Sequence, residues 1–104
     1  LIGIPVRLSA QDGEGLFKQN CGACHKVGGG RLVGPDLAGV TTKRSEEWLM
    51  KWTKGSQALI KSGDADAKAI FDEFGGLVMP DQALPDGDIK AIGEKLRCFC
   101  YGQR

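Results

Sequence analysis

Cys21, Cys24 and His25 stand in the pentapeptide Cys21-Gly22-Ala23-Cys24-His25, a C-x-x-C-H run. Two thiols at this spacing can each add to a vinyl group of haem, and the histidine directly after the second cysteine is then held beneath the iron, where a ring nitrogen can coordinate it. The vinyl groups are neighbours on the macrocycle, so the tether has to turn within one short helical segment. Two other chemistries use some of the same residues. A dithiol redox pair needs a βαβ pattern around it, and no such pattern surrounds this motif. A four-thiolate zinc site would recruit Cys98 and Cys100, but knuckle pairs usually hold about two to four residues between their cysteines. Cys98 and Cys100 hold one, and a zinc site would leave His25 and Met79 without a role.

At 104 residues the chain is the size of one small domain, and small domains often depend on disulfides, metals or a cofactor for stability. A covalently held haem would supply a large apolar body to pack around, which reconciles 16 glycines and few aromatics with a folded unit. The formal charge is +1, from 14 basic and 13 acidic residues, so no global field points to nucleic acid or an anionic membrane. Lys18, Lys26, Lys51 and Lys54 are candidates for a local steering patch, although a solvated charged face is the ordinary account of such lysines. No apolar run approaches the ~20 residues of a transmembrane helix. Residues 1–10 read as an N-terminal arm, and the absence of an initiator methionine leads us to expect a processed or excised chain. Thioether attachment in bacteria takes place outside the cytoplasmic membrane, so the motif implies a periplasmic or otherwise extracytoplasmic protein.

The elements that must position these residues are helical. Asp12 to Asn20 predicts a first helix, capped by Asp12, with Glu14 in its first turn and Leu16 and Phe17 on its apolar side. It runs into the C-x-x-C-H turn, after which Gly28-Gly29-Gly30 breaks regular structure and Gly34-Pro35-Asp36-Leu37 turns the chain. Ser45 starts a second helix with Trp48, Leu49 and Trp52 as apolar positions, and Gly55 is expected to end it, with a polar loop through Gly63. Asp64 to Phe74 reads as a third, stopped by Gly75-Gly76. A last helix starts near Pro85-Asp86, with Ile89, Ile92, Leu96 and Phe99 at three- and four-residue steps. No segment alternates as a strand, so the fold class is all-α, with about four helices.

The order of C-x-x-C-H, Gly34-Pro35-Asp36-Leu37, Met79-Pro80 and a closing helix resembles that of a small class I bacterial cytochrome c, over about residues 11 to 97. The resemblance implies a cytochrome c domain at 11–104, wrapped around one covalent haem c. It assigns Cys21 and Cys24 to the thioether bonds and His25 to the proximal iron site. Pro35 would turn its carbonyl to the other imidazole N–H. Met79 would be the sixth ligand, on a loop that Gly75 and Gly76 free to bend and Pro80 stiffens. The rival methionine, Met50, sits on the helix with both tryptophans, where packing is the usual role. There is no second histidine, so ligation by two histidines of one chain is excluded. Trp48 or Trp52 would direct an indole N–H at a haem propionate, with core packing as the plainer alternative.

The chain departs from the family pattern in two places. An aromatic residue often precedes the last apolar leucine of the closing helix, and here that place is Lys95, before Leu96. The crossing of the first and last helices is therefore expected to use Phe17 against Ile92 and Leu96, with Gly93 or Gly15 permitting close approach. Cys98 and Cys100 have no counterpart in the pattern and are free thiols, a strained local disulfide or the link of a dimer; a monomer is otherwise expected. Taken together, these readings point to a periplasmic electron carrier, soluble or part of a larger respiratory complex, and not to an enzyme. It would meet redox proteins at an exposed haem edge near Lys26 and Val27. The alternative is a gas sensor or peroxidase-like protein in which Met79 is displaceable.

Overall fold

The computed structural model describes residues 12–98. Five helices occur among them: α1 Gly13–Asn20, α2 Val40–Lys43, α3 Glu46–Lys61, α4 Ala65–Glu73 and α5 Asp86–Cys98. No strand occurs among the described residues. Three helices begin where side-chain oxygens can take the first free backbone N–H groups. Asp12 accepts from Gly15, Ser45 from Trp48 and Asp64 from Ala67. Gly75 and Gly76, with φ of 68° and 79°, end the α4 region in the left-handed conformation that glycine adopts without a Cβ clash.

The core is the crossing of α1 and α5. Leu16 and Phe17 pack against Ile92 and Leu96, with Cys21, Val27, Leu37, Val40, Leu84 and Ala91 around them. Phe17, Ile92 and Leu96 therefore meet as the sequence suggests, but the glycine that permits the approach is a different one. A Cβ on Gly13 would stand 2.1 Å from the backbone oxygen of Ala91 and 3.1 Å from Cβ of Lys95, whereas one on Gly93 would meet nothing. One on Gly15 would meet only the side chain of Asp12. The crossing point lies at the start of α1, a position set by the angle between two helices distant in sequence.

The second helix also departs from expectation. Gly55 leaves helical geometry (φ −162°, ψ 70°), yet α3 resumes past this kink and continues to Lys61. The expected polar loop through Gly63 is thus mostly helix. Glycine weakens a helix by only about 1 kcal/mol, and just beyond Gly55 the fully buried Ser56 ties the helix to the Met79 carbonyl. The single turn α2, entered through Gly39 at φ 75°, makes five helices instead of four. α3 packs on α4 and α5, and α2 packs on α5. The expected arm at residues 1–10, Cys100 and the side chain of Cys98 lie outside the described residues.

Candidate haem-binding site

The C-x-x-C-H segment is a continuation of α1. Cys21 and Gly22 both donate their N–H groups to the carbonyl of Phe17, and Cys24 and His25 donate theirs to Cys21. One tight turn thus carries both thiols and the imidazole, as attachment to neighbouring vinyl groups requires. Burial, with the nearby Cys24, pushes the Cys21 thiol up to about 11. Redox-active dithiols work by lowering a thiol pKa, so this pair is poorly suited to be one.

His25 is buried, and its Nδ1 lies 2.9 Å from the carbonyl oxygen of Pro35. A carbonyl only accepts, so Nδ1 is the donor of this bond and, in the neutral ring, Nε2 is the nitrogen with the free lone pair. The two strands of chain are laced together around this contact: Gly34 donates to the Cys24 carbonyl at 2.7 Å and Leu37 to that of Lys26 at 2.9 Å. Gly34 runs so close to the imidazole that a Cβ there would stand 2.6 Å from Cε1 of His25. Asp36 closes the intervening loop, accepting from the backbone N–H groups of Gly28, Gly30 and Ala38. Desolvation opposes its charge, but these three donors and Lys43 hold its carboxyl below the usual aspartate range.

Met79 hangs from α3. Its carbonyl accepts from the hydroxyl of the fully buried Ser56 at 2.7 Å, and the indole N–H of Trp52 points at its sulfur at 3.0 Å. Just beyond, Gln82 donates its N–H to the carbonyl of Thr53. Trp48 and Trp52, one helical turn apart, stack with centroids 5.3 Å apart and planes 8° from parallel. Trp48 gives its N–H to Asp64 at 2.8 Å, which lowers the pKa of that carboxylate. Both indole N–H groups thus meet protein acceptors. Met50 is half-buried within α3.

Several features escaped sequence reasoning. Arg44 Nε and Gln57 Nε2 are buried donors without a hydrogen-bond partner among the described residues. Leu32 and Val33 precede Gly34-Pro35, Leu77 and Val78 precede Met79, and all four are about half exposed. Arg31 lies 3.9 Å over the ring of Phe74, joining the glycine-rich loop to the end of α4. No local pattern marks Arg44, Ser56 or Gln57, because their importance depends on what the fold brings near them. The imidazole of His25, the thioether of Met79 and the thiols of Cys21 and Cys24 are donor types that would suit an apolar macrocycle with iron, and the buried donors of Arg44 and Gln57 would suit its carboxylates. Three of the four lysines singled out from sequence pair with acids: Lys18 with Glu14, Lys51 with Glu47 and Lys54 with Asp86. That weakens any positive patch, since such surface pairs offset one another's charge. No helix among the described residues is long and apolar enough to cross a membrane.

The family model described as Cytochrome c matches residues 10–94. Among solved structures, the chain is similar to a cytochrome c from Rhodothermus marinus, with 30% identity and a TM-score of 0.73 over 93% of this chain and 84% of that one. It is also similar to the cytochrome c domain of the pp3183 protein from Pseudomonas putida, at 32% identity and a TM-score of 0.74 over 85% and 87% of the two chains. An engineered Rhodothermus marinus cytochrome c bound to a carbene intermediate matches at 30% identity and a TM-score of 0.72, over 93% of this chain and 84% of that one. Comparison with curated protein sequences gives no match. The chain belongs to the cytochrome c family, as an all-α electron-transfer protein of bacterial class I type whose haem c is bound covalently through cysteine.

Proposed function

We propose that Cys21 and Cys24 carry the two thioether bonds, that His25 and Met79 fill the axial positions of the iron, and that the protein passes single electrons between redox proteins of an extracytoplasmic respiratory chain, as a free carrier or as a domain of a larger complex. The haem supplies a one-electron Fe(III)/Fe(II) couple. The observation that carries the reading is the 2.9 Å contact between His25 Nδ1 and the Pro35 carbonyl. It fixes the tautomer, leaves Nε2 as a metal donor and makes that nitrogen more basic. Met79 offers a soft, neutral sulfur that favours the ferrous state and raises the potential relative to two histidines.

With both axial positions filled there is no open site for substrate, so the protein's task is to hold two ligands still through the redox change. The proximal lacing from Cys24 to Leu37 and the tethers from α3 to Met79 support this. Arg44 and Gln57, buried donors without a partner among the described residues, would suit the haem carboxylates, for which the family resemblance offers Trp48 or Trp52 beside plain core packing. The redox partner docks at the haem edge, where Lys26 and Val27 flank the attachment turn and the half-exposed Leu32, Val33, Leu77 and Val78 give an apolar surface.

Optical spectra of the oxidised and reduced protein, with a pyridine haemochrome assay, test the assignment. The expected results are two saturated vinyl groups, pigment that stays with the protein in acidified acetone, and a far-red sulfur-to-iron charge-transfer band when oxidised. Met79→Ala should lose that band and let the reduced protein bind carbon monoxide, while the haem remains attached. Carbon monoxide binding by the unaltered reduced protein at neutral pH would overturn the six-coordinate reading in favour of a sensor or peroxidase-like one.

A further inference from the structure

We propose that the break in α3 at Gly55 is a positioning element for Met79. The groups on either side of it form one seat that holds the segment 79–86, so the shape of α3 sets how readily Met79 is exchanged for an added ligand. This inference rests on the ligation by His25 and Met79 proposed above. α3 runs from Glu46 to Lys61, and at Gly55 its backbone leaves helical geometry, with φ −162° and ψ 70°. The residues around that break all bond to one other stretch of chain. Thr53 accepts at its carbonyl from the N–H of Gln82 at 3.0 Å. Lys54 pairs with Asp86, the first residue of α5. Ser56, fully buried, donates its hydroxyl to the carbonyl of Met79 at 2.7 Å.

An unbroken helix is poorly shaped for this. Residues two apart on a regular helix point about 200° away from one another, so Lys54 and Ser56 would serve opposite sides. Interior carbonyls of such a helix point along its axis to the N–H four residues on, which leaves Thr53 badly aimed at a neighbouring segment. With the break in place, the Thr53 carbonyl, Lys54 and Ser56 all reach residues between 79 and 86. Space does not demand glycine at the break. A Cβ on Gly55 would meet only Cβ of Ala58, at the ordinary contact distance of 3.8 Å. What glycine supplies is a weak preference for helix at that one residue, where alanine would favour continuation.

The seat is graded from inside outward. The Ser56 hydroxyl is out of water, so the bond it makes is costly to lose. The Lys54–Asp86 pair is exposed and screened by salt, and adds little. The hold on the segment therefore comes chiefly from its buried end, which is the end at Met79. Straightening α3 would turn Ser56 away from the Met79 carbonyl without touching the packing of Leu16 and Phe17 on Ile92 and Leu96. Gly55 thus acts through its neighbours, as a positioning residue.

The test follows binding of added imidazole to the oxidised holoprotein, by loss of the sulfur-to-iron band, in the unaltered chain and in its Gly55→Ala and Gly93→Ala variants. Both substitutions place alanine in a helix where the new Cβ makes no close contact. Gly55→Ala is expected to bind imidazole about 5- to 10-fold faster, the change that one lost hydrogen bond carries. Gly93→Ala should leave the rate unchanged. A second measurement needs no variant, so it decides the matter even if Gly55→Ala folds poorly. The Gln82 amide, bonded to Thr53, should exchange slowly with solvent in the unaltered protein and speed up when imidazole displaces Met79, while the Ile92 and Leu96 amides stay protected. Equal imidazole rates for Gly55→Ala and the unaltered protein, the same acceleration in Gly93→Ala, or Gln82 exchange unmoved by imidazole would overturn the proposal while leaving the ligation intact. Absence of the sulfur-to-iron band from the unaltered protein would overturn both.

Discussion

The segment from Cys21 to Leu37 and the segment around Met79 are secured by different kinds of bond. The first is laced to itself. His25 and Pro35 are ten residues apart, Gly34 reaches back to Cys24, and Asp36 closes the glycine-rich loop on neighbouring N–H groups. The second has little of its own to hold it. Met79 is suspended from Ser56 and Trp52, 23 and 27 residues earlier, on a helix formed independently. A self-laced loop resists change because several short-range bonds must break together. A suspended loop depends on a few side chains, and the loss of one changes the position or the chemistry of the sulfur without unfolding the rest. Under the ligation proposed above, His25 would be built in during attachment while Met79 would remain adjustable.

Three substitutions would break or sharpen this contrast. The largest effect is expected from Gly34→Ala, where the new Cβ would lie 2.6 Å from the His25 ring. Backbone fixed on both sides cannot yield cheaply, so a loss of at least about 1–3 kcal/mol is expected, with a displaced imidazole. Denaturant titration and the Soret spectrum of the oxidised protein would register it; native stability with an unchanged spectrum would show that the proximal lacing is looser than the distances imply. Ser56→Ala should cost about 1–2 kcal/mol by leaving the Met79 carbonyl without its donor. Its mark should be selective: faster binding of added imidazole at the iron, with attachment unaffected. A uniform loss with no change in ligand exchange would argue against the suspended loop.

The smallest effect concerns acid. The carboxyl of Asp36 titrates below its ordinary value in the folded protein, because Gly28, Ala38 and Gly30 donate to it against the opposing effect of desolvation. A depressed folded pKa gives stability that is present above the unfolded value of ~3.9 and lost as pH falls through the folded one. Asp36→Asn should therefore melt below the unaltered protein at neutral pH, and the gap should narrow in acid below about pH 4. Thermal melts of both across that range would show it, and a gap independent of pH would assign the effect to shape instead of charge.

Much of the helical frame is legible in the sequence because its signals are local. Asp12, Ser45 and Asp64 announce helix starts by chemistry that involves only the next three residues, and Gly75-Gly76 announces a stop in the same way. Gly55 misleads for the same reason. A glycine is a local signal, whereas the continuation of α3 to Lys61 is decided by partners far along the chain. Ser56 belongs to that continuation, so the misplaced helix end and the missed tether to Met79 share one cause.

The sequence by itself determined the haem chemistry, since thioether attachment needs two thiols and an imidazole at a spacing set by a single turn. It also determined the all-α class, which follows from helical periodicity, whereas the pairing of Phe17 with Ile92 and Leu96 came from the resemblance to the family. Only the tertiary structure decided that Gly13 is the crossing point, that Trp52 faces a sulfur and Trp48 a carboxylate, and that Arg44 and Gln57 keep buried donors without a partner among the described residues. These depend on rotation and distance between elements remote in the chain. Two tryptophans four residues apart have the same residue type and the same helix, and only the groups packed opposite them give each indole a different partner.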